Sequence, residues 1–233
     1  NIASPVMESH QKNAGGNARI AETMFRYFRF PVDSENFVYL SQVQQGLAIK
    51  TAVTHWRSLK PYCMGTLIWQ LNDTWPVCSW ASLDHGGNWK LLHHMARQFF
   101  APVTVVAVPD RGGLTLRGVN DTRDAVALTL ALSALNMAGG LRSLQTVTAR
   151  IPTDAATDLA TIPREALQPG EVLHWAWDGD HAGADILPLA PWKAHDLTDP
   201  GITMTTTRSG GDWTIDLSVR ALAPFTAVES DLP

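Results

Sequence analysis

The spacing of apolar residues changes character along the chain. Up to Pro102 they recur with a helical period, and after it they alternate in short runs. Residues 1–16 have no clear period and read as a loop. Asn17 is placed to cap a helix carrying Ile20, Met24, Phe25 and Phe28 on one face, and Pro31 prevents its continuation. Ser34 and Glu35 open a longer helix, with Leu40, Val43, Leu47, Ala48, Ala52 and Trp56 at helical spacing. Arg57 and Lys60 sit at its end, where cations favour the helix dipole, and Pro61 follows. The run Met64–Leu71 is apolar on both alternating faces, which predicts a strand buried on both sides, as in a parallel sheet. Asn72, Asp73 and Pro76 break it into a loop. A further helix is predicted over 88–100, with Trp89, Leu92, Met95, Ala96 and Phe99 inward and Pro102 closing it.

After Pro102 the pattern predicts strands at 104–108, 114–119, 125–132, 143–151, 172–177 and 185–189. Turn signals separate them, such as Asp110-Arg111-Gly112-Gly113, Asn120-Asp121 and Asp178-Gly179-Asp180. Strands at this spacing imply a small antiparallel sandwich. Asp199-Pro200-Gly201 marks a second boundary, followed by strands near 202–206 and 213–219. Two strands and part of a third bury no core of their own, so a truncated further domain is expected there. The expected division is a helix-and-strand unit at 1–102, a sandwich at 103–195, and the start of another β domain at 196–233.

Composition narrows the function classes. The 233 residues are 45% hydrophobic and 17% charged, with a net charge of -4 and no Lys/Arg cluster, which argues against a nucleic-acid surface. No apolar run reaches the ~18 residues of a membrane span, and no signal-peptide pattern is present. The chain starts at Asn1 and stops mid-pattern, so a piece of a longer polypeptide is expected. Cys63 and Cys78 flank the predicted strand, which is roughly 25 Å long at ~3.3 Å per residue, so no disulfide is expected between them.

The candidate chemistry sits at the end of that strand. In parallel α/β folds ligands gather at the carboxyl ends of strands. Trp69 followed by Gln70, Asn72 and Asp73 suits a sugar, with an aromatic face for C–H groups and polar groups for hydroxyls. A core strand with a capped loop explains the same residues. Glycoside hydrolysis needs two carboxyls across the scissile bond. Glu22, Asp33 and Glu35 read as solvated helix or linker charges, and Glu8 lies in a loop beside His10, Gln11 and Lys12. His93 and His94 are adjacent on a helix and cannot both face one metal, so no metal site or cofactor is read. Asn72-Asp73-Thr74 and Asn120-Asp121-Thr122 match the glycosylation acceptor pattern, which is common by chance.

The stretch MGTLIWQLNDTWPVCSWASLDHGGNWK, followed by HHMARQFFAPV, closely resembles the β-mannosidases of glycoside hydrolase family 2. VMESHQKNAGGN and FVYLSQVQQGLAIKTAVTHWRSLKPYC resemble the segments that precede it there, so the specific likeness covers residues 4–104. The remainder is similar in kind, with an immunoglobulin-like domain and the start of another. The resemblance implies a (β/α)8 barrel carrying β-sandwich domains, with residues 1–102 as the end of the barrel and the central stretch as its eighth strand. It implies an exo-acting, retaining enzyme that removes terminal β-mannose from oligosaccharides. Trp69 matches the tryptophan lining the subsite for that sugar, and Asn72 and Asp73 match the polar part of the same WQLND motif. The family's Ser-Glu-aromatic-Gly nucleophile motif and its acid/base motif do not occur here, so both catalytic carboxylates are expected upstream, in the rest of the parent polypeptide. Thr54 departs from the acid that many relatives carry before the His-Trp-Arg stretch. The rival readings are another family 2 exo-enzyme, such as an exo-β-glucosaminidase, and a non-catalytic carbohydrate-binding protein.

Overall fold

A computed structural model describes residues 2–229. Four helices come first: α1 (Pro5–Ser9), α2 (Gly16–Tyr27), α3 (Ser34–Ser58) and α4 (Leu91–Phe99). Helix α1 falls inside the stretch read as a loop. It forms because Ser4 Oγ accepts from the Met7 amide at 3.2 Å and proline occupies its first turn. Asn17 is inside α2 rather than at its cap. Its side chain is buried and bonds Ile2, Glu8 and Gln11, tying the N-terminal segment together. Helix α3 starts behind Asp33, whose carboxylate accepts from the Asn36 amide at 2.8 Å. Its buried stripe includes Phe37, Val43, Gly46, Val53 and Arg57, while Trp56, expected inward, is exposed. Gly46 lets α4 approach closely, because a Cβ there would collide with the Met95 sulfur. Val53, Leu92 and Phe99 then form the joint core of α3 and α4.

Helix α4 starts three residues later than the apolar pattern suggests. Asn88 is held by Asp84, and the Lys90 amide donates to Ser82 O at 3.0 Å, so the chain stays in a turn until Leu91.

Seven strands follow in two antiparallel sheets. One holds β1 (Val103–Pro109), β2 (Gly113–Asn120) and β5 (Ala155–Pro163) in the order β1-β2-β5. The other holds β3 (Val126–Leu135), β4 (Leu141–Ile151), β6 (Val172–Trp177) and β7 (Gly183–Pro188) in the order β4-β3-β6-β7. Leu114 and Leu116 from one sheet meet Leu130, Leu132, Leu173 and Trp175 from the other in one core. This is an immunoglobulin-like sandwich. The indole of Trp175 crosses that core and donates to Val105 O at 2.9 Å, so its only polar group is satisfied. Gly118 is needed where the sheets come closest, since a Cβ would strike Ile151. Strand β5 reads AATDLATIP, too rich in alanine to announce a strand. Its pairing with β2 supplies what propensity does not.

The outer side of the second sheet packs against the helices. Leu135 and Val172 share a cluster with Met24, Phe28, Phe37 and Val43, and Trp192 closes it from the following linker. Helix α3 is tied to the sandwich at two levels and to the segment after β9 at a third. Tyr39 donates to Phe225 O at 2.7 Å, Lys50 pairs with Asp185 at 2.6 Å, and Arg57 pairs with Asp121 at 2.7 Å. The last elements, β8 (Thr203–Ser209) and β9 (Asp212–Ser218), form a hairpin exposed on both faces. One face is Thr203, Thr205, Asp216 and their polar neighbours, and the other carries Met204, Trp213, Ile215 and Leu217.

The central run Met64–Leu71 differs most from expectation. It forms no strand, and among the described residues none pairs with it as a ladder. Burial alternates along it: Thr66, Ile68 and Gln70 are partly covered, and Leu67, Trp69 and Leu71 are exposed. Ile68 packs on the α3–α4 core. The strand expected to be buried on both faces is therefore covered on one. An apolar run becomes a strand only when a neighbouring segment supplies ladder hydrogen bonds, and none of the described residues does so here.

Candidate functional site

The site is built on the loop from Trp69 to Lys90. Two backbone bonds fold it back on the end of the central run: Leu83 N donates to Leu71 O at 2.7 Å and Ser82 N to Gln70 O at 3.1 Å. Ser82 Oγ also donates to Leu71 O at 3.0 Å and lies 3.0 Å from His93 Nδ1, which joins the loop to α4. Asp84 closes a tight turn by accepting from the Asn88 amide at 2.8 Å and side chain at 2.9 Å. Those bonds, the Asn88 side chain first, hold the Asp84 carboxyl below its usual range. The N-terminal segment braces the other side. Cys78 N donates to His10 O at 2.8 Å, the His10 ring contacts Pro76 O, and the His10 and Trp75 rings lie 5.3 Å apart. Cys63 and Cys78 are unbonded, and burial pushes the Cys78 thiol up.

The three candidate residues fall into two groups. Trp69 and Asn72 face solvent, with Trp69 77% exposed. Asp73 is only 5% exposed. It accepts from Ser79 Oγ, receives a 3.4 Å bond from Gln70 Nε2, and lies 4.0 Å from Lys90 Nζ. Desolvation lowers the Lys90 pKa, and the Asp73 charge opposes that shift. Asp73 thus organises the loop, while Trp69 and Asn72 offer an aromatic face and an amide. Ser79 and Lys90 had no signal in the spacing, because they reach Asp73 only through the fold of the loop.

Glu8 is committed elsewhere, accepting from Asn17 Nδ2 at 3.2 Å. Among the described residues no three His, Cys, Asp or Glu side chains gather to hold a metal. Asn120 is fully buried, and its amide nitrogen donates to Asp124 O, Ile151 O and Pro152 O, so that acceptor pattern is a structural lock. In chemical terms the loop offers the exposed Trp69 ring as an apolar surface, with hydrogen-bonding groups in the same loop.

No family model matches the chain. A β-mannosidase of Mus musculus is 30% identical over 92% of this chain and 28% of its own length. A β-D-mannosidase structure from Dictyoglomus thermophilum superposes with a TM-score of 0.92 at 26% identity, covering 99% of this chain and 29% of that one. An exo-chitosanase structure from Amycolatopsis orientalis gives a TM-score of 0.77 at 16% identity over 95% of this chain and 30% of that one, a likeness of fold alone. The chain spans less than a third of the length of these relatives. Sequence and fold together place the chain among the β-mannosidases of glycoside hydrolase family 2, matching a C-terminal portion of them.

Proposed function

We propose that this chain is the C-terminal portion of an exo-acting, retaining β-mannosidase that removes terminal non-reducing β-D-mannose from oligosaccharides. The observation that carries the reading is the one-sided burial of the central run. In a (β/α)8 barrel each strand turns alternate side chains outward to the helices and inward to the barrel. Ile68 packs on the α3–α4 core, while Leu67, Trp69 and Leu71 are uncovered. That is the surface of a barrel strand whose neighbours belong to the rest of the parent polypeptide. Trp69 stands near the carboxyl end of the run, where barrel enzymes bind substrate, and forms the apolar wall for the terminal sugar. Asn72, exposed three residues further along the loop, supplies hydroxyl contacts. Asp73 acts by holding the loop. Both catalytic carboxylates lie upstream of Asn1 in this reading, and Glu8, engaged by Asn17, is neither of them.

The hairpin β8–β9 supports a further β domain in the parent. Its apolar face of Met204, Trp213, Ile215 and Leu217 has no cover among the described residues, and a two-stranded hairpin is marginal alone.

Steady-state rates of the full-length parent on aryl β-mannoside, β-glucoside and β-glucosaminide test the reading. The β-mannoside is expected to give the highest kcat/KM. A preference for the β-glucosaminide would replace the mannosidase assignment, and no turnover of any of the three would leave a binding protein. The 233-residue chain alone is expected to hydrolyse none of them.

A further inference from the structure

We propose that the cleft between helices α3 and α4 and strands β6 and β7 binds a neutral polyhydroxylated ring of monosaccharide size. The cleft encloses about 580 Å³, and neither Trp69, Asn72 nor Asp73 lines it. Its polar lining includes Lys50, His174, Asp185 and Gln98, and Leu91 and Phe225 supply apolar wall. The volume falls in the range of small-molecule sites, roughly 300–1,000 Å³.

The hydrogen-bonding inventory selects the ligand. Lys50 and Asp185 pair at 2.6 Å with both side chains largely buried, so the cleft has no free charge there to recruit an ion. Asp185 Oδ1 is occupied by Lys50 and by the Ile186 amide at 2.9 Å, and Oδ2 has no bond among the described residues. Gln98 donates through Nε2 to Ala184 O at 2.7 Å, which leaves Oε1 as an acceptor. His174 Nδ1 is sealed from solvent without a partner. A sealed bare nitrogen costs less than a sealed N–H, so the ring carries its proton on Nε2 and offers a donor to the cleft. The unpaired groups therefore include the His174 N–H, the remaining N–H groups of Lys50 and the two acceptors Asp185 Oδ2 and Gln98 Oε1, with the His94 ring also at the lining, around a space with apolar walls. Hydroxyl groups both donate and accept, and a pyranose ring turns a C–H face to such walls. Ordered water is the competing occupant.

The test uses the 233-residue chain, D-mannose as probe, and the His174 ring nitrogens and Met95 methyl group as NMR reporters. Saturable shifts with a Kd on the order of 1–10 mM are expected. His174→Phe weakens binding by about tenfold or more, the equivalent of one lost hydrogen bond, whereas His174→Gln, which keeps a donor, stays within about threefold. Val228→Trp, at an exposed residue on the rim, blocks the cleft without touching the core and abolishes the shifts. The proposal is overturned if the His174 ring shows no saturable shift up to roughly 100 mM mannose, or if Val228→Trp leaves the shifts unchanged. Equal saturable shifts with sodium acetate would overturn it too, by making this a carboxylate site. If His174→Phe does not fold, the Val228→Trp comparison decides.

Discussion

Arg57 Nη2 donates to Asp121 Oδ2 at 2.7 Å and to Ala101 O at 2.8 Å, so one guanidinium joins the end of α3, the segment after α4 and the loop between β2 and β3. Arg57 is 7% exposed, and its Nη1 bonds Phe99 O as well. Lys60 reaches the same Asp121 at 2.6 Å and also bonds Asp154. Although burial works the other way, those two cations hold the Asp121 carboxyl below its usual range.

Removing this hub strands several buried groups at once. Arg57→Ala leaves two carbonyls and part of a carboxylate unpaired, and is expected to destabilise the chain by about 3–5 kcal/mol. Arg57→Lys recovers less than half of that, because an ammonium cannot reproduce a planar fork aimed at three acceptors. Urea unfolding of the two variants measures both, and equal stability to wild type in either case contradicts the assignment.

The cleft histidine makes a pH prediction with a definite sign. Desolvation lowers the His174 pKa below its ordinary 6.5, and the nearby Asp185 only partly offsets this. As pH falls below 6.5 the unfolded chain takes up the proton first, so stability declines until pH passes the lower folded value. Above 6.5 this contribution is complete. His174→Gln should flatten the slope of unfolding free energy against pH just below 6.5. An unchanged slope in the variant would show that other groups carry it.

Trp69 and Asp73 are expected to respond oppositely to substitution. Trp69 is exposed, so Trp69→Ala changes the stability of this chain by less than about 0.5 kcal/mol. In the full-length parent the same change lowers kcat/KM at least about tenfold, or ~1.4 kcal/mol of transition-state stabilisation. Asp73→Ala leaves Ser79 and Lys90 without their buried partner and costs about 1–3 kcal/mol already in this chain. Thermal and urea unfolding with activity on matched samples separate the two. A large stability loss from Trp69→Ala would assign that side chain to packing.

The sandwich is expected to fold by itself. Its main core lies wholly within residues 103–177, and no helix residue is among its buried members. Residues 103–195 expressed alone should unfold cooperatively, with Leu135 and Val172 newly exposed where the helices had covered them. A non-cooperative melt would show that the helix layer is required.

Much of this architecture can be read from local pattern, and what cannot has identifiable causes. Strand β6 stands out because pattern and burial agree, whereas helix α3 is legible as a helix but of its expected inward positions only Val43 is fully buried. Strand β5 is hidden because its Ala-rich sequence becomes a strand only through β2. The central run reads as doubly buried because both of its alternating faces are apolar, yet cover reaches only Thr66, Ile68 and Gln70 on one side. In the site, Trp69 and Asn72 are visible as residue types that suit sugars. The role of Asp73 is not, since nothing in WQLND shows that Ser79 and Lys90 will close around it.

Helix α3 has a mechanical consequence. Its 25 residues make a rod about 37 Å long at ~1.5 Å per residue. Lys50 and Arg57 rivet that rod past its middle and near its end to Asp185 and Asp121 of the sandwich, and Tyr39 holds its start to Phe225 in the segment after β9. A load applied between the helices and the sandwich is shared between the Lys50 and Arg57 attachments and the packed cluster between them. Under tension the helices and the sandwich should hold as one body and give way in a single rupture, with extension set by both parts together.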